Sequence, residues 1–152
     1  LATGRLGGRE AGRLRVRWAA MDLEYLSDAW LTAAAETLSS VVIEPPIDGA
    51  ALALDTIITG GETPKRFRYL FDGSSVALVD VDAALPEGTS VVRITQSREV
   101  ATAVARGDRS AQEAFLTNDI QLGGEVTRLI QLSGLLQQIG DALAPLRART
   151  SF

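Results

Sequence analysis

The 152-residue chain contains neither cysteine nor histidine. That double absence closes the commonest routes of enzyme chemistry. A Ser-His-Asp triad, a Cys-His nucleophile pair, imidazole acid/base work and ordinary structural zinc sites all need one or the other. Without thiols there are no disulfides, and cysteine usage does not mark the chain as secreted. No stretch approaches the roughly 18 consecutive apolar residues of a membrane-spanning helix. The first twenty residues are interrupted by Arg and Gly and contain no signal-peptide core. The expectation is a cytoplasmic protein that is not an enzyme, with no catalytic residues, no metal site and no cofactor.

Apolar residues make up 46% of the chain and charged ones 22%, which suits a single globular domain of this length. Charge is unevenly spread. Residues 1–20 hold five of the fifteen basic residues and one of the nineteen acidic ones, a net +4, which leaves ten and eighteen, a net −8, in residues 21–152. The only methionine is Met21, and a helical pattern begins directly after it. Residues 1–20 are therefore read as an upstream extension or artificial tail, and 21–152 as the domain. A basic arm for nucleic acid is the rival reading, but five Arg among glycines carry too weak a signal, and no nucleic-acid partner is expected.

From Asp22 onward, Leu23, Leu26, Trp30 and Leu38 recur at helical spacing until Pro45 and Pro46. The middle of the chain reads as sheet. "AALALDTIITGG" alternates through Leu52, Leu54, Thr56 and Ile58. In "KRFRYLFDGSSVALVDVD" the residues Phe67, Tyr69 and Phe71 share one face, and Val76 and Leu78 continue it beyond the Asp72-Gly73 turn. Arg66 and Arg68 take the other face, with solvent as their expected surroundings. "TSVVRITQ" supplies a fourth strand, and the short connections predict an antiparallel meander. Asp80 and Asp82 fall on one face of a strand, where a cation or acid/base pair is conceivable and a solvated edge is the plainer account.

The last third reads as helical with one interruption. Ser97 starts a helix that stops near Gly107, and Ser110 with Glu113 forms a capping box before Phe115 and Leu116. "DIQLGG" makes a fifth strand, and a helix runs from Glu125 to about Leu143 before Pro145. Its core stripe comprises Leu129, Leu132, Leu136, Ile139 and Leu143. Val126 and Ile130 lie outside that stripe, so the first turns are apolar on two sides. Gly123-Gly124 raises the question of a phosphate cradle at a helix start, but no P-loop Lys or GxGxxG pattern accompanies it.

Residues 92–132, "VRITQSREVATAVARGDRSAQEAFLTNDIQLGGEVTRLIQL", resemble the core of the sterol carrier (nonspecific lipid-transfer) protein family. Arg106-Gly107, Ala114-Phe115 and Gly123-Gly124-Glu125 stand at the family's motif positions. "FLTND" replaces the usual Gly-Lys tail of the short helix, and Gly124-Glu125 replaces Gly-Asp. The resemblance implies an α+β fold: a five-stranded, mostly antiparallel sheet with helices packed on one face. It further implies an apolar tunnel between the two layers, holding a fatty acyl, acyl-CoA or sterol-like ligand. Candidate lining residues are Phe67, Tyr69, Phe71, Phe115, Leu116, Ile120, Leu122, Val126, Leu129 and Ile130. Transient membrane contact is left open. The alternative is a non-enzymatic interaction module that keeps the fold without a lipid, associating as a homodimer through Leu135, Leu146 and the last helix.

Overall fold

The computed structural model describes residues 22–131 and 134–152. The extension expected at 1–20, Met21 and the stripe residue Leu132 lie outside the described residues. Ser27, rather than Asp22, begins the first helix. Its hydroxyl accepts the Trp30 N–H at 3.1 Å and caps α1 (Asp28–Leu38), which turns Trp30, Ala34 and Leu38 inward at four-residue spacing. The residues before the cap form a short strand, β1 (Leu23–Glu24), paired in parallel with β7 (Thr150–Ser151). The Trp30 indole N–H reaches the Thr150 hydroxyl at 3.0 Å, fastening α1 to the same place.

The main sheet comprises β2 (Leu52–Thr59), β3 (Lys65–Asp72), β4 (Ser75–Val79), β5 (Ser90–Ser97) and β6 (Ile120–Gly124), in spatial order β4-β3-β2-β5-β6. The β3–β4 hairpin closes one residue beyond the expected Asp72-Gly73 pair: Asp72 lies opposite Ser75 and Phe71 opposite Val76, so the two-residue loop is Gly73-Ser74, with Gly73 at φ +59°. The fourth strand corrects the meander. β5 lies beside β2, not β4, and runs parallel to it, with Leu52 opposite Ser90 and Ile58 opposite Gln96. The other three ladders of this sheet are antiparallel.

The 80–89 connection must therefore cross the outer face of the sheet, and it is held there from beneath. Arg68, expected in solvent, is only 7% exposed. It forms a two-pronged ion pair with Asp55, directly opposite on β2, at 2.5 and 3.0 Å. Its third nitrogen, Nη1, donates to the Ala83 carbonyl at 3.0 Å. The Asp55 hydrogen bond, together with the field of Asp82 and Asp80, keeps the guanidinium even more firmly protonated than usual. Arg66, by contrast, is exposed as expected. Asp80 is past the strand: its carboxylate accepts the Asp82 N–H at 2.9 Å and closes a turn.

The last third is more broken than its periodicity implies. Helix α2 (Arg98–Arg106) is capped by Ser97 and ends on Gly107, while α3 (Ala111–Leu116) is capped by Ser110. Asp119 then accepts hydrogen bonds from the Thr117 hydroxyl at 2.8 Å and Arg109 at 2.9 Å. The expected long helix is divided into α4 (Val126–Gln131), α5 (Leu135–Ala142) and α6 (Ala144–Arg147). Gly134, at φ +98°, is the break. It shifts the helical phase, so that Leu135, with Ile139, becomes a buried residue of α5. Leu146 is buried as well, so neither leucine proposed for a dimer surface is at the surface.

The Thr117 and Arg109 contacts hold the Asp119 carboxyl below its ordinary pKa. A folded pKa below the unfolded one adds stability at higher pH, and that stability is lost as pH falls through the folded pKa. Asp119→Asn is therefore expected to weaken the protein slightly near neutral pH and not at all in strong acid. Urea titrations of both proteins at the two pH values check this. A deficit independent of pH contradicts it.

Candidate functional site

Alternation along the strands sorts the sheet into two chemically different faces. Inward point Leu52, Leu54, Phe67, Phe71, Val92 and Ile94, which merge with Leu38, Ala114, Leu135 and Ile139 from the helices into the core. The cationic side chains Arg66, Arg68 and Arg93 take the outer face by the same alternation. Lys65, at the first position of β3, is the one strand cation with inward parity. The layer between the inner face and the helices is thus almost wholly uncharged.

This layer brings together half of the residues expected to meet a ligand. Phe67 and Phe71 are buried, and Tyr69 packs between them with its ring at 90° to Phe67 and a centroid distance of 5.5 Å. Burial pushes the Tyr69 phenol well above its ordinary pKa, so it remains a neutral O–H at any physiological pH. Ile120 and Leu122 reach the same layer from β6, and Val126 is half-buried at the start of α4. Three candidates turn away from the interior. Phe115, Leu116 and Ile130 are 42%, 71% and 66% exposed. In α3 the inward residue is Ala114, and each following residue is rotated by about 100° around the axis. In α4 the helix is too short for its second apolar side to be enclosed, so Ile130 meets solvent and not a cavity. The side chain of Leu129 lies outside the described residues.

Sequence reading put Thr56, 4% exposed, on the same face as Leu52, Leu54 and Ile58 but counted neither it nor Gln96 among the lining residues. Gln96 follows Val92 and Ile94 at two-residue spacing, which was the available signal. Its Oε1 is buried without a hydrogen-bond partner among the described residues.

A separate surface hollow of about 380 Å³ lies between Gly60 and the outer side of α2, lined by Arg98, Glu99, Thr102, Arg106 and Asp108. It is open, polar at its rim, and shares no residue with the apolar layer. Among the described residues, no group of three or more acidic side chains is placed to hold a metal ion. None of their helices is long and apolar enough to cross a membrane.

Gly124 ends β6 at φ +77° and sits so close to β5 that an added Cβ would stand 2.4 Å from the Val91 carbonyl oxygen. The same oxygen accepts the Glu125 N–H at 2.9 Å. Gly124 is required by this close approach, which turns the chain from the edge strand directly into α4.

The chain matches no protein-family model and no curated protein. Solved structures do match. A crystal structure of sterol carrier protein 2 superposes with a TM-score of 0.51 at 16% identity, over 84% of this chain and all of that one (100%). The fold is that of the sterol carrier proteins. Sterol carrier protein 2-like 2 of Aedes aegypti agrees at TM-score 0.50 and 14% identity, covering 71% of this chain and 94% of its own. The palmitated form of that mosquito protein gives a TM-score of 0.52 at 14% identity, covering 70% of this chain and 90% of that one. The sterol-carrier-like fold includes the parallel β2–β5 pair and the α+β layering described above.

Proposed function

We propose that this sterol-carrier-like domain binds a lipid by its apolar chain, between the inner sheet face and the helices, and carries it without chemically altering it. The observation that carries the reading is the continuous apolar inner face, sheltered by short, interrupted helices and ending at an exposed apolar rim. That rim is Phe115 and Leu116 on α3, which packs against the edge strand β6. The existence of a palmitated neighbour with the same fold supports it. On this reading Phe67, Tyr69, Phe71, Ile120, Leu122 and Val126 contact the lipid inside. Phe115, Leu116 and Ile130 form the place where it enters or where a membrane is touched.

The energetics are adequate. Each methylene removed from water contributes about 0.8 kcal/mol, so a dozen would yield roughly 10 kcal/mol before association costs, enough for micromolar binding. Displacement of a fluorescent fatty acid by a panel of unlabelled lipids tests the proposal. One probe bound per chain, with competitive release at micromolar lipid, is expected. No probe binding, and no lipid retained in native mass spectrometry at saturation, would overturn it.

A further inference from the structure

Gln96 is the unexplained group in this layer. In register it lies between Ile58 of β2 and Ile120 of β6, which are 3% and 5% exposed. Along its own strand it follows Val92 and Ile94, also buried. Its backbone carbonyl accepts the Thr59 hydroxyl at 3.4 Å, but the amide Oε1, shut off from solvent, meets no donor among the described residues. Gln96 as a whole is half-buried, with Oε1 at its covered end. A leucine or methionine here would pack against the same neighbours without leaving a polar atom unpaired. The position holds a glutamine all the same.

We infer that Gln96 is the polar anchor for an uncharged, hydroxyl-bearing lipid head, so that the domain selects a long-chain alcohol or similar neutral lipid over the carboxylate of equal chain length. This rests on the lipid-carrier reading. A hydroxyl suits the amide whichever of its ends faces inward, because O–H can donate to Oε1 or accept from the amide N–H. A carboxylate cannot donate, and burying its charge here lacks compensation. Arg66, Arg68 and Arg93 stand on the opposite face, and Lys65 is two strands away in the same row, with Ile58 between. Arg98, at the start of α2, is the nearest cation in sequence, and its guanidinium is already engaged by the Tyr25 carbonyl at 3.0 Å. Thr56, one step along β2 from the Ile58 row, is a second polar side chain on the same face, and it carries a hydroxyl.

The test compares a saturated long-chain alcohol with the acid and the methyl ester of the same chain length near neutral pH. The proteins are wild type, Gln96→Leu and, should that variant fold poorly, Gln96→Met. The wild type is expected to prefer the alcohol to both others. Either variant should lose about tenfold in affinity for the alcohol, the worth of one buried hydrogen bond, and keep its affinity for the ester. The lipid-free Gln96→Leu protein should melt no lower than wild type, because it buries no unpaired acceptor. Unchanged alcohol affinity in the variants, equal losses for alcohol and ester, or a wild type that favours the acid would each overturn the inference while leaving the carrier reading intact. A variant that melts lower yet binds the alcohol normally would assign Gln96 a structural hydrogen bond instead. If the wild type binds none of the three lipids, the carrier reading fails and this inference with it.

Discussion

Replacing Arg68 by Met is expected to cost the fold about 3–5 kcal/mol, the range for breaking a buried ion pair from one side. The guanidinium leaves behind the Asp55 carboxylate, whose side chain is 18% exposed, facing an apolar stem. It also releases the Ala83 carbonyl, and with it the middle of the 80–89 crossover. Two readouts separate these effects. Urea denaturation should show the full loss, and limited proteolysis should find new cleavage within 80–89. The double variant Arg68→Met, Asp55→Leu should recover much of the stability, because neither charge then remains buried. It should not restore protection of the crossover. A single-variant loss below about 1 kcal/mol, the worth of an exposed pair, would mean that Arg68 is effectively solvated and the pair contributes little.

Gly124→Ala is expected to have a comparable effect for a different reason. The left-handed backbone costs an alanine about 1–2 kcal/mol, and its methyl would stand 2.4 Å from the Val91 oxygen. Relieving that overlap means moving β6 away from β5 or rotating the turn into α4. Roughly 3 kcal/mol or more in total is reasonable, given that forced overpacking alone costs about 1–3 kcal/mol. Gly123→Ala is the internal control. Its φ is not positive, and the added methyl would meet only the Arg93 side chain, at 3.0 Å for the nearest atom, which can swing aside. Denaturant midpoints for the two variants and hydrogen exchange over β6 measure the difference. Equal, small effects at both positions would show that the β6 edge is loosely attached and that the glycine pair is not demanded by the sheet.

Much of the sheet was legible because its information is local. The Asp72-Gly73 signal falls within one residue of the actual Gly73-Ser74 loop, and a hairpin of that parity makes Phe67, Tyr69 and Phe71 share a face with Val76 and Leu78. The same is true of the serine caps at Ser97 and Ser110, each of which satisfies an N–H three residues on. What escaped was non-local. Nothing within 80–89 says that the next strand skips β4 and β3 to pair with β2; the crossover is fastened by Arg68, whose role is visible only with Asp55 opposite. The start of α1 was misplaced because Leu23 and Leu26 fit a helical spacing. Leu23 instead belongs to a strand whose partner is more than 120 residues away. Gly134 is a single glycine within an apolar pattern that continues past it, yet its left-handed backbone interrupts the helix, and Leu135, outside the expected stripe, is buried.

The candidate site divides in the same way. Residues on strands went where period-two alternation sent them. Those on α3 and α4 did not, since a helix of six residues can bury one side chain and leave its neighbour in water. The polar members, Thr56 and Gln96, were passed over because a search for apolar lining discards them.

The pairing of β1 with β7 also sets an order of events. Leu23 donates its N–H to the Arg149 carbonyl and Tyr25 to that of Ser151, while Trp30 waits on the Thr150 hydroxyl. None of these partners exists until nearly all of the described chain has been synthesised. Closing so long a loop is entropically costly and comes late in folding. The five-stranded sheet can assemble around its own hairpin beforehand with α1 resting on β4, but the N-terminal end of α1 cannot be fastened until then. Until the last strand leaves the ribosome, the inner face has a loosely held cover, and a nascent chain caught at that stage would be the form most exposed to greasy molecules in the cell.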